Sequence, residues 1–149
     1  MIGLADDEDE EIVGRYRWYA IQNMMGGYYV STRAEGTTIY LHRLITHAPK
    51  GVYVDHINHD TLDNRRANLR LCTNRQNNEN RAGAYKNSQS GIRGVSPFVA
   101  KHGTLYWVGR VSTATAKPMA YFPFTEEGKL QAAAWVVMKR AELMTHSEN

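Results

Sequence analysis

The strongest constraint on this chain is its punctuation. Short β-branched and aromatic runs are cut off by glycines or polar turns through most of its length, which favours small antiparallel sheets and short helices. Trp18-Tyr19-Ala20-Ile21, Tyr28-Tyr29-Val30-Ser31 and Thr37-Thr38-Ile39-Tyr40-Leu41 are strand-like, with Gly26-Gly27 and Glu35-Gly36 as the turns between them. Residues 15–44 therefore read as an antiparallel meander. His42-Arg43-Leu44-Ile45 starts a short helix that must stop before Pro49. Val52-Tyr53-Val54-Asp55-His56 and Leu69-Arg70-Leu71-Cys72-Thr73 make a second antiparallel pair across a polar loop. Thr73 then serves as a helix N-cap, with Gln76 completing a capping box, and predicts a helix over 74–81.

A length of 149 residues allows one domain or two very small ones. Residues 82–90 have linker composition, and a second pattern starts at Gly91. Strands are expected over 91–99, 105–113 and 119–124, with turns at Lys101-His102-Gly103 and Lys117-Pro118. Thr125 caps a helix with Glu126 and Glu127 in its first turn, where carboxylates suit the helix dipole. Leu130, Ala134, Val137, Ala141 and Met144 form an apolar stripe at helical spacing. Leu105, Trp107 and Val111 are expected to pack on that stripe, leaving Tyr106, Val108, Arg110 and Ser112 on the opposite face of the sheet. The fold class is α+β, in two small domains at 14–82 and 91–149 joined by a linker at 83–90.

The net charge of +3 conceals an asymmetry. Six of the fifteen carboxylates lie at 6–11, so residues 12–149 hold eighteen Lys and Arg against nine acids, a net +9. A basic body points to a polyanionic partner. Residues 1–13 carry no periodic apolar pattern and read as an acidic, disordered tail. The single cysteine, Cys72, rules out an intrachain disulfide and a cysteine-rich zinc site. No apolar run reaches the length of a bilayer span, and six acids stand where a signal peptide needs positive charge. The expected setting is the cytoplasm.

The chemistry is concentrated at 55–77. A strand ending in Asp55-His56, a polar loop, a return strand and a helix make a ββα arrangement that can bring Asp55 and Asn77 to one point. An Asp carboxylate and an Asn amide oxygen are hard donors, suited to one divalent ion such as Mg²⁺, with Mn²⁺ as the alternative. A neutral His56 imidazole can take a proton from water attacking phosphorus. In a regular strand Asp55 and His56 face opposite ways, so they share a site only if the chain bends after His56. Asn68 is expected to tie the loop to the strands, Asn58 and Asn64 to form loop turns, His47 and His59 to be exposed, and His42 to pack beneath the unit. Arg65, Arg66, Arg75 and Arg81 surround the region as phosphate contacts. The bland reading of the Asp-His pair is a surface hydrogen bond.

Leu41-His42-Arg43-Leu44-Ile45, Val54-Asp55-His56-Ile57-Asn58, Asp63-Asn64-Arg65-Arg66-Ala67-Asn68-Leu69-Arg70 and Thr73-Asn74-Arg75-Gln76-Asn77 closely resemble the HNH endonucleases. The likeness is greatest to the phage and intron-encoded homing-type branch with an H-N-N motif, and covers about 15–82. It implies a ββα-metal nuclease unit in which His56 is the general base, Asp55 and Asn77 bind the metal and Asn68 holds the metal loop in shape. It also implies hydrolysis of double-stranded DNA to 5′-phosphate and 3′-hydroxyl ends, in a host cytoplasm if the gene is a phage's. Gly91-Ile92-Arg93-Gly94-Val95-Ser96, Tyr106-Trp107-Val108-Gly109-Arg110-Val111, Tyr121-Phe122-Pro123-Phe124 and the helix through Ala132-Ala133-Ala134-Trp135 resemble the DNA-binding domain of plant ethylene-response factors. That resemblance implies a three-stranded sheet with one packed helix, and DNA contacts from Arg93, Arg110 and Tyr121; Tyr106 lies on the same face as Arg110. A monomer is the expected state. The rival readings are a DNA-binding protein without catalysis, and a nuclease toxin without sequence choice.

Overall fold

The computed structural model describes residues 2–23, 26–81 and 83–144. The chain divides at Asn80/Arg81 into two compact units.

The first unit opens with a 3₁₀ turn, Asp7–Asp9, and one turn of helix α1, Glu10–Val13. Strands β1 (Tyr19–Gln22), β2 (Tyr28–Ala34) and β3 (Thr37–Tyr40) form an antiparallel meander in the order β1-β2-β3. The β2–β3 turn has two residues, Glu35 and Gly36, both at positive φ (51° and 76°) between the paired Ala34 and Thr37. Two left-handed residues match the twist of a hairpin, and glycine takes the second position without strain. Helix α2 (Leu41–Ile45) buries Leu41 and Ile45, one turn apart, against Val30 and Leu69. Arg43 donates to the carbonyls of Ala48 (3.1 Å), Pro49 (2.8 Å) and Val52 (2.7 Å), closing the loop that leads to the next strand.

Strands β4 (Tyr53–His56) and β5 (Leu69–Cys72) pair antiparallel, with Asp55 opposite Arg70 and His56 opposite Leu69. Helix α3 (Asn74–Glu79) follows, and Thr73 makes the expected capping box with Gln76. The helix therefore starts at a fixed point one residue beyond β5.

The acidic segment is not a frayed tail. Leu4 forms a parallel bridge with Asp63, donating its N–H to Leu62 O and accepting from Asn64 N, each at 2.8 Å. Asp9 is buried and holds the Arg66 guanidinium through both oxygens at 2.6 and 3.1 Å, while Asp6 accepts from the Arg66 backbone N–H at 2.6 Å. Ala5 and Val13 pack on the core of the unit. The segment is ordered by a partner almost sixty residues away, which no local periodicity announces.

In the second unit β6 (Val95–Val99), β7 (Leu105–Arg110) and β8 (Met119–Pro123) form an antiparallel sheet in that order. Helix α4 (Glu126–Leu143) packs on one face, starting at Thr125, whose hydroxyl accepts from Gly128 N at 3.0 Å. The core is Val95, Trp107, Val111, Ala132 and Val136, so Trp107 and Val111 face the helix as expected. The helix, however, turns a different stripe inward. Gly128, Ala132, Val136 and Arg140 are buried, while Leu130 (66% exposed) and Val137 (47%) point away from the sheet. The reason is steric complementarity: Trp107 supplies bulk from the sheet to a core that takes Ala132 from the helix, while small residues elsewhere make room for close approach. A Cβ at Gly109 would lie 2.9 Å from the Trp135 ring, and one at Gly128 only 2.0 Å from Pro123 O. Leu105, expected in this core, is instead 42% exposed at the end of its strand.

Candidate active site

Asp55, His56, Asp63, Asn64, Asn68 and Asn80 are buried polar residues gathered around the end of β4 and the loop that follows it. Asp55 is 6% exposed. Its Oδ2 accepts from Arg70 Nε (2.9 Å) and Nη2 (2.8 Å) across the β4–β5 pair, and its Oδ1 accepts from Asn80 Nδ2 (3.1 Å). Asn80 Nδ2 also lies 3.1 Å from His56 O. Asn80, 1% exposed at the C-terminal end of α3, thereby attaches the helix to the strand end. The sequence reading missed it, although it stands three residues after Asn77 and so on the same helix face. Asn77 lies one turn earlier, half-buried, and its side chain makes no hydrogen bond among the described residues.

His56 is 5% exposed and directed to the other side of the strand, as the two-residue period of a strand requires. Its ring meets the edge of His42 at 5.2 Å between centroids and lies 6.2 Å from the Tyr29 ring. Its Nε2 is 3.5 Å from Asn64 Oδ1. Burial lowers the His56 imidazole below its ordinary 6.5, opposed by the Asn64 hydrogen bond and by the charge of Asp55. Burial thus favours the neutral ring, the form able to accept a proton. Burial also pulls His42 down to about 3, helped by His56 and Arg43. The sequence expectation that His42 lies under the unit is met: it touches the ring it supports. His47 and His59 are exposed, as expected.

Between the two strands the loop is tied by side chains. Asn68 Nδ2 donates to Asp63 O (2.7 Å) and its Oδ1 accepts from Asn58 N (2.9 Å), while the backbone joins Ile57 N to Asn68 O at 2.9 Å. Asn58 Nδ2 and the Arg65 guanidinium both bind the Asp63 carboxylate, the latter through two contacts of 2.7 Å. Arg65 holds the Asp63 carboxyl down to about 2.

The sequence-predicted cations fall into two groups. Arg65 and Arg66 are engaged within their own unit, by Asp63 and by Asp9 and Glu8. Arg66 is expected to be open to phosphate only if the acids form a free tail, and Arg65 only if Asp63, two residues away, does not take its guanidinium. Arg66 likewise occupies the point where the Asp6, Glu8 and Asp9 carboxylates converge. Arg75 on α3 is exposed and makes no ion pair among the described residues. In the second unit, Arg81 stacks on Tyr85 with its guanidinium carbon 3.5 Å from the ring centroid, and Arg93 donates to Arg81 O. On the sheet face away from α4, Tyr106 and Phe98 surround Tyr121 at 6.0 and 5.5 Å, and Arg110 is exposed at the edge of this aromatic cluster. Cys72 is buried, and burial pushes its thiol up, so it offers no thiolate.

The family model of the HNH endonucleases matches residues 40–79, the stretch from the end of β3 through α3. An HNH endonuclease of Acanthamoeba polyphaga mimivirus is 32% identical over 127 residues, 78% of this chain. Protein 3.8 of Escherichia phage T7 is 34% identical over 95 residues, 64% of this chain and 72% of its own. Residues 40–79 are thus an HNH endonuclease segment, and the chain is similar to these two viral proteins. It spans 64% of the length of the mimivirus relative. No solved structure matches it. The HNH segment contains His42, Asp55, His56, Asn68 and Asn77, and its last residue, Glu79, directly precedes Asn80.

The oxygen donors of Asp55 and Asn77 are of the kind a hard divalent cation takes; Asp55 Oδ2 is occupied by two Arg70 contacts, while Oδ1 accepts one described hydrogen bond, from Asn80, and keeps a lone pair. Asn77 shares its helix face with Asn80, which touches Asp55. HNH nucleases as a family use a divalent metal, and these residues are compatible with one.

Proposed function

We propose that this protein is a divalent-metal-dependent DNA endonuclease of the homing type, with His56 as general base. The observation that carries this reading is a buried imidazole, held between His42 and Asn64 and one residue from a buried carboxylate, within a segment matched by the HNH endonuclease model. Water attacks the phosphodiester phosphorus as His56 takes its proton. The P–O3′ bond breaks, leaving a 5′-phosphate and, after protonation of the departing oxygen, a 3′-hydroxyl. Asp55 and Asn77 would hold one Mg²⁺ or Mn²⁺, which supplies electrophilic stabilisation of the scissile phosphate and the departing oxygen. Asn68 acts on the shape of the 57–67 loop rather than on the substrate, because both ends of its amide are already engaged. Arg70 neutralises part of the Asp55 charge and keeps the carboxylate oriented.

Duplex DNA is bound by the exposed cations and by the second unit, a sheet-and-helix module resembling the ethylene-response-factor domain. The sheet face away from α4 carries exposed Arg110 and Tyr121 and half-buried Tyr106, around a buried Val108, with no carboxylate anywhere in 91–124, which favours a phosphate-lined partner. Arg75 in the first unit, and Arg81 and Arg93 in the second, are further phosphate contacts of their own units. Arg65 and Arg66 reach phosphate only by exchanging their present carboxylates. The favoured working state is a monomer, in the cytoplasm of a host cell; among the described residues no helix is long and apolar enough to cross a membrane. Incubating a long duplex with Mg²⁺, Mn²⁺ or EDTA and mapping the cut ends tests the reading. Discrete metal-dependent cuts bearing 5′-phosphates support it; binding without cutting under any divalent ion overturns it.

A further inference from the structure

We propose that Asn64 is a positioning residue that fixes which nitrogen of His56 carries the proton, leaving Nδ1 as the base. The inference rests on the reading of His56 as the general base. Asn64 is 0% exposed although it belongs to a polar loop and had been expected only to form a turn. A buried primary amide is costly unless its polar atoms are paired, and the partners here are specific. Its Nδ2 donates to Leu62 O at 2.9 Å. A carbonyl accepts only from the NH₂ end, so the amide cannot be turned over, and Oδ1 must be the atom facing His56 Nε2 at 3.5 Å. An amide oxygen accepts and cannot donate. A neutral imidazole has one N–H, so placing it on Nε2 leaves the Nδ1 lone pair available for water. The 3.5 Å separation is long for a finished hydrogen bond and leaves room for it to shorten as the ring gains charge, as catalytic hydrogen bonds do on reaching the transition state.

The other rings around His56, those of His42 and Tyr29, limit its tilt but supply no comparable carbonyl-type acceptor. Asn64 itself is held from outside the loop, because its N–H donates to Leu4 O at 2.8 Å. With no exposed surface it cannot touch DNA, so it acts through His56.

Long-range ¹H–¹⁵N spectra of the histidine rings in the full-length protein test the tautomer directly, with His56 assigned by its loss in His56→Ala. Wild type is expected to show Nε2–H, and a wild-type spectrum showing Nδ1–H overturns the proposal. In Asn64→Leu, close in size but without polar atoms, His56 should become a tautomer mixture. Its single-turnover rate should fall about 100-fold, within the range general-base catalysis supplies, while DNA affinity stays within about twofold of wild type. An Asn64→Leu protein that cuts at the wild-type rate, or slows with its tautomer unchanged, overturns the assignment. Absence of metal-dependent cutting by wild type would defeat the nuclease reading instead, while the spectra would still decide what Asn64 does to the ring.

Discussion

In the first unit the residues shielded from water include Asp55, His56, Asp63, Asn64, Asn68 and Asn80, whereas the second unit shields Val95, Trp107, Val111, Ala132 and Val136 and exposes Arg110 and Tyr121. The contrast follows from two kinds of work. A group that must accept a proton at one atom has to be oriented and partly desolvated before substrate arrives, so its supports are buried hydrogen bonds. A surface that meets a phosphate backbone needs its cations accessible, and can be carried on an ordinary apolar core. The first unit should therefore be sensitive to loss of polar partners, the second to loss of packing.

Four substitutions sharpen this contrast, from the largest expected effect to the smallest. Trp107→Ala should remove about 3–5 kcal/mol from the second unit, seen as lost amide protection in β6–β8 by hydrogen exchange; unchanged protection there would break the comparison. Asp55→Ala should cost the first unit about 3 kcal/mol without creating a large void, because it leaves Arg70 largely buried without its carboxylate and Asn80 short of an acceptor. Denaturant melting followed by a first-unit probe checks this, and a loss below 1 kcal/mol would mean that the polar network is not what holds the strand end.

Acid should act next, and through the first unit. The His42 imidazole is lowered from 6.5 to about 3, so between those values the unfolded chain binds a proton that the folded one refuses. The stability held above pH 6.5 should therefore decline steadily as pH falls toward about 3. His42→Phe, which replaces a ring whose Nδ1 has no hydrogen-bond partner, should flatten that decline in melts run across the range. The smallest effect on folding belongs to Arg110→Ala, expected within about 0.5 kcal/mol of wild type. Its consequence should appear in DNA binding, where the salt dependence of log K should lose about one phosphate contact.

What could be read in the sequence was whatever short-range chemistry determines. Thr73 with Gln76 and Thr125 with its first turn marked helix starts because a cap and its partner are three residues apart. The β2–β3 turn was legible at Glu35-Gly36 for the same reason. The acidic segment was misread because the side chain that orders it, Arg66, lies 57 residues beyond Asp9. The inward stripe of α4 was misread because Ala132 and Gly128 look like weak core residues until Trp107 and Pro123 are seen to leave space only for small ones. Within the site, Asp55, His56, Asn68 and Asn77 could be named by motif, but Asn80 and Asn64 could not. Their importance lies in which carbonyl or carboxylate each amide meets, and only the folded loop determines that.

The central claim is that His56 performs the proton transfer of a metal-dependent DNA cleavage. The most direct test compares wild type and His56→Ala in a supercoiled-plasmid nicking assay with Mg²⁺, under saturating protein so that binding is equal. The account predicts nicking by wild type that EDTA abolishes, and a rate at least about 100-fold lower for His56→Ala at unchanged DNA affinity. Equal nicking by the two proteins, or none by either with any divalent ion, would contradict it.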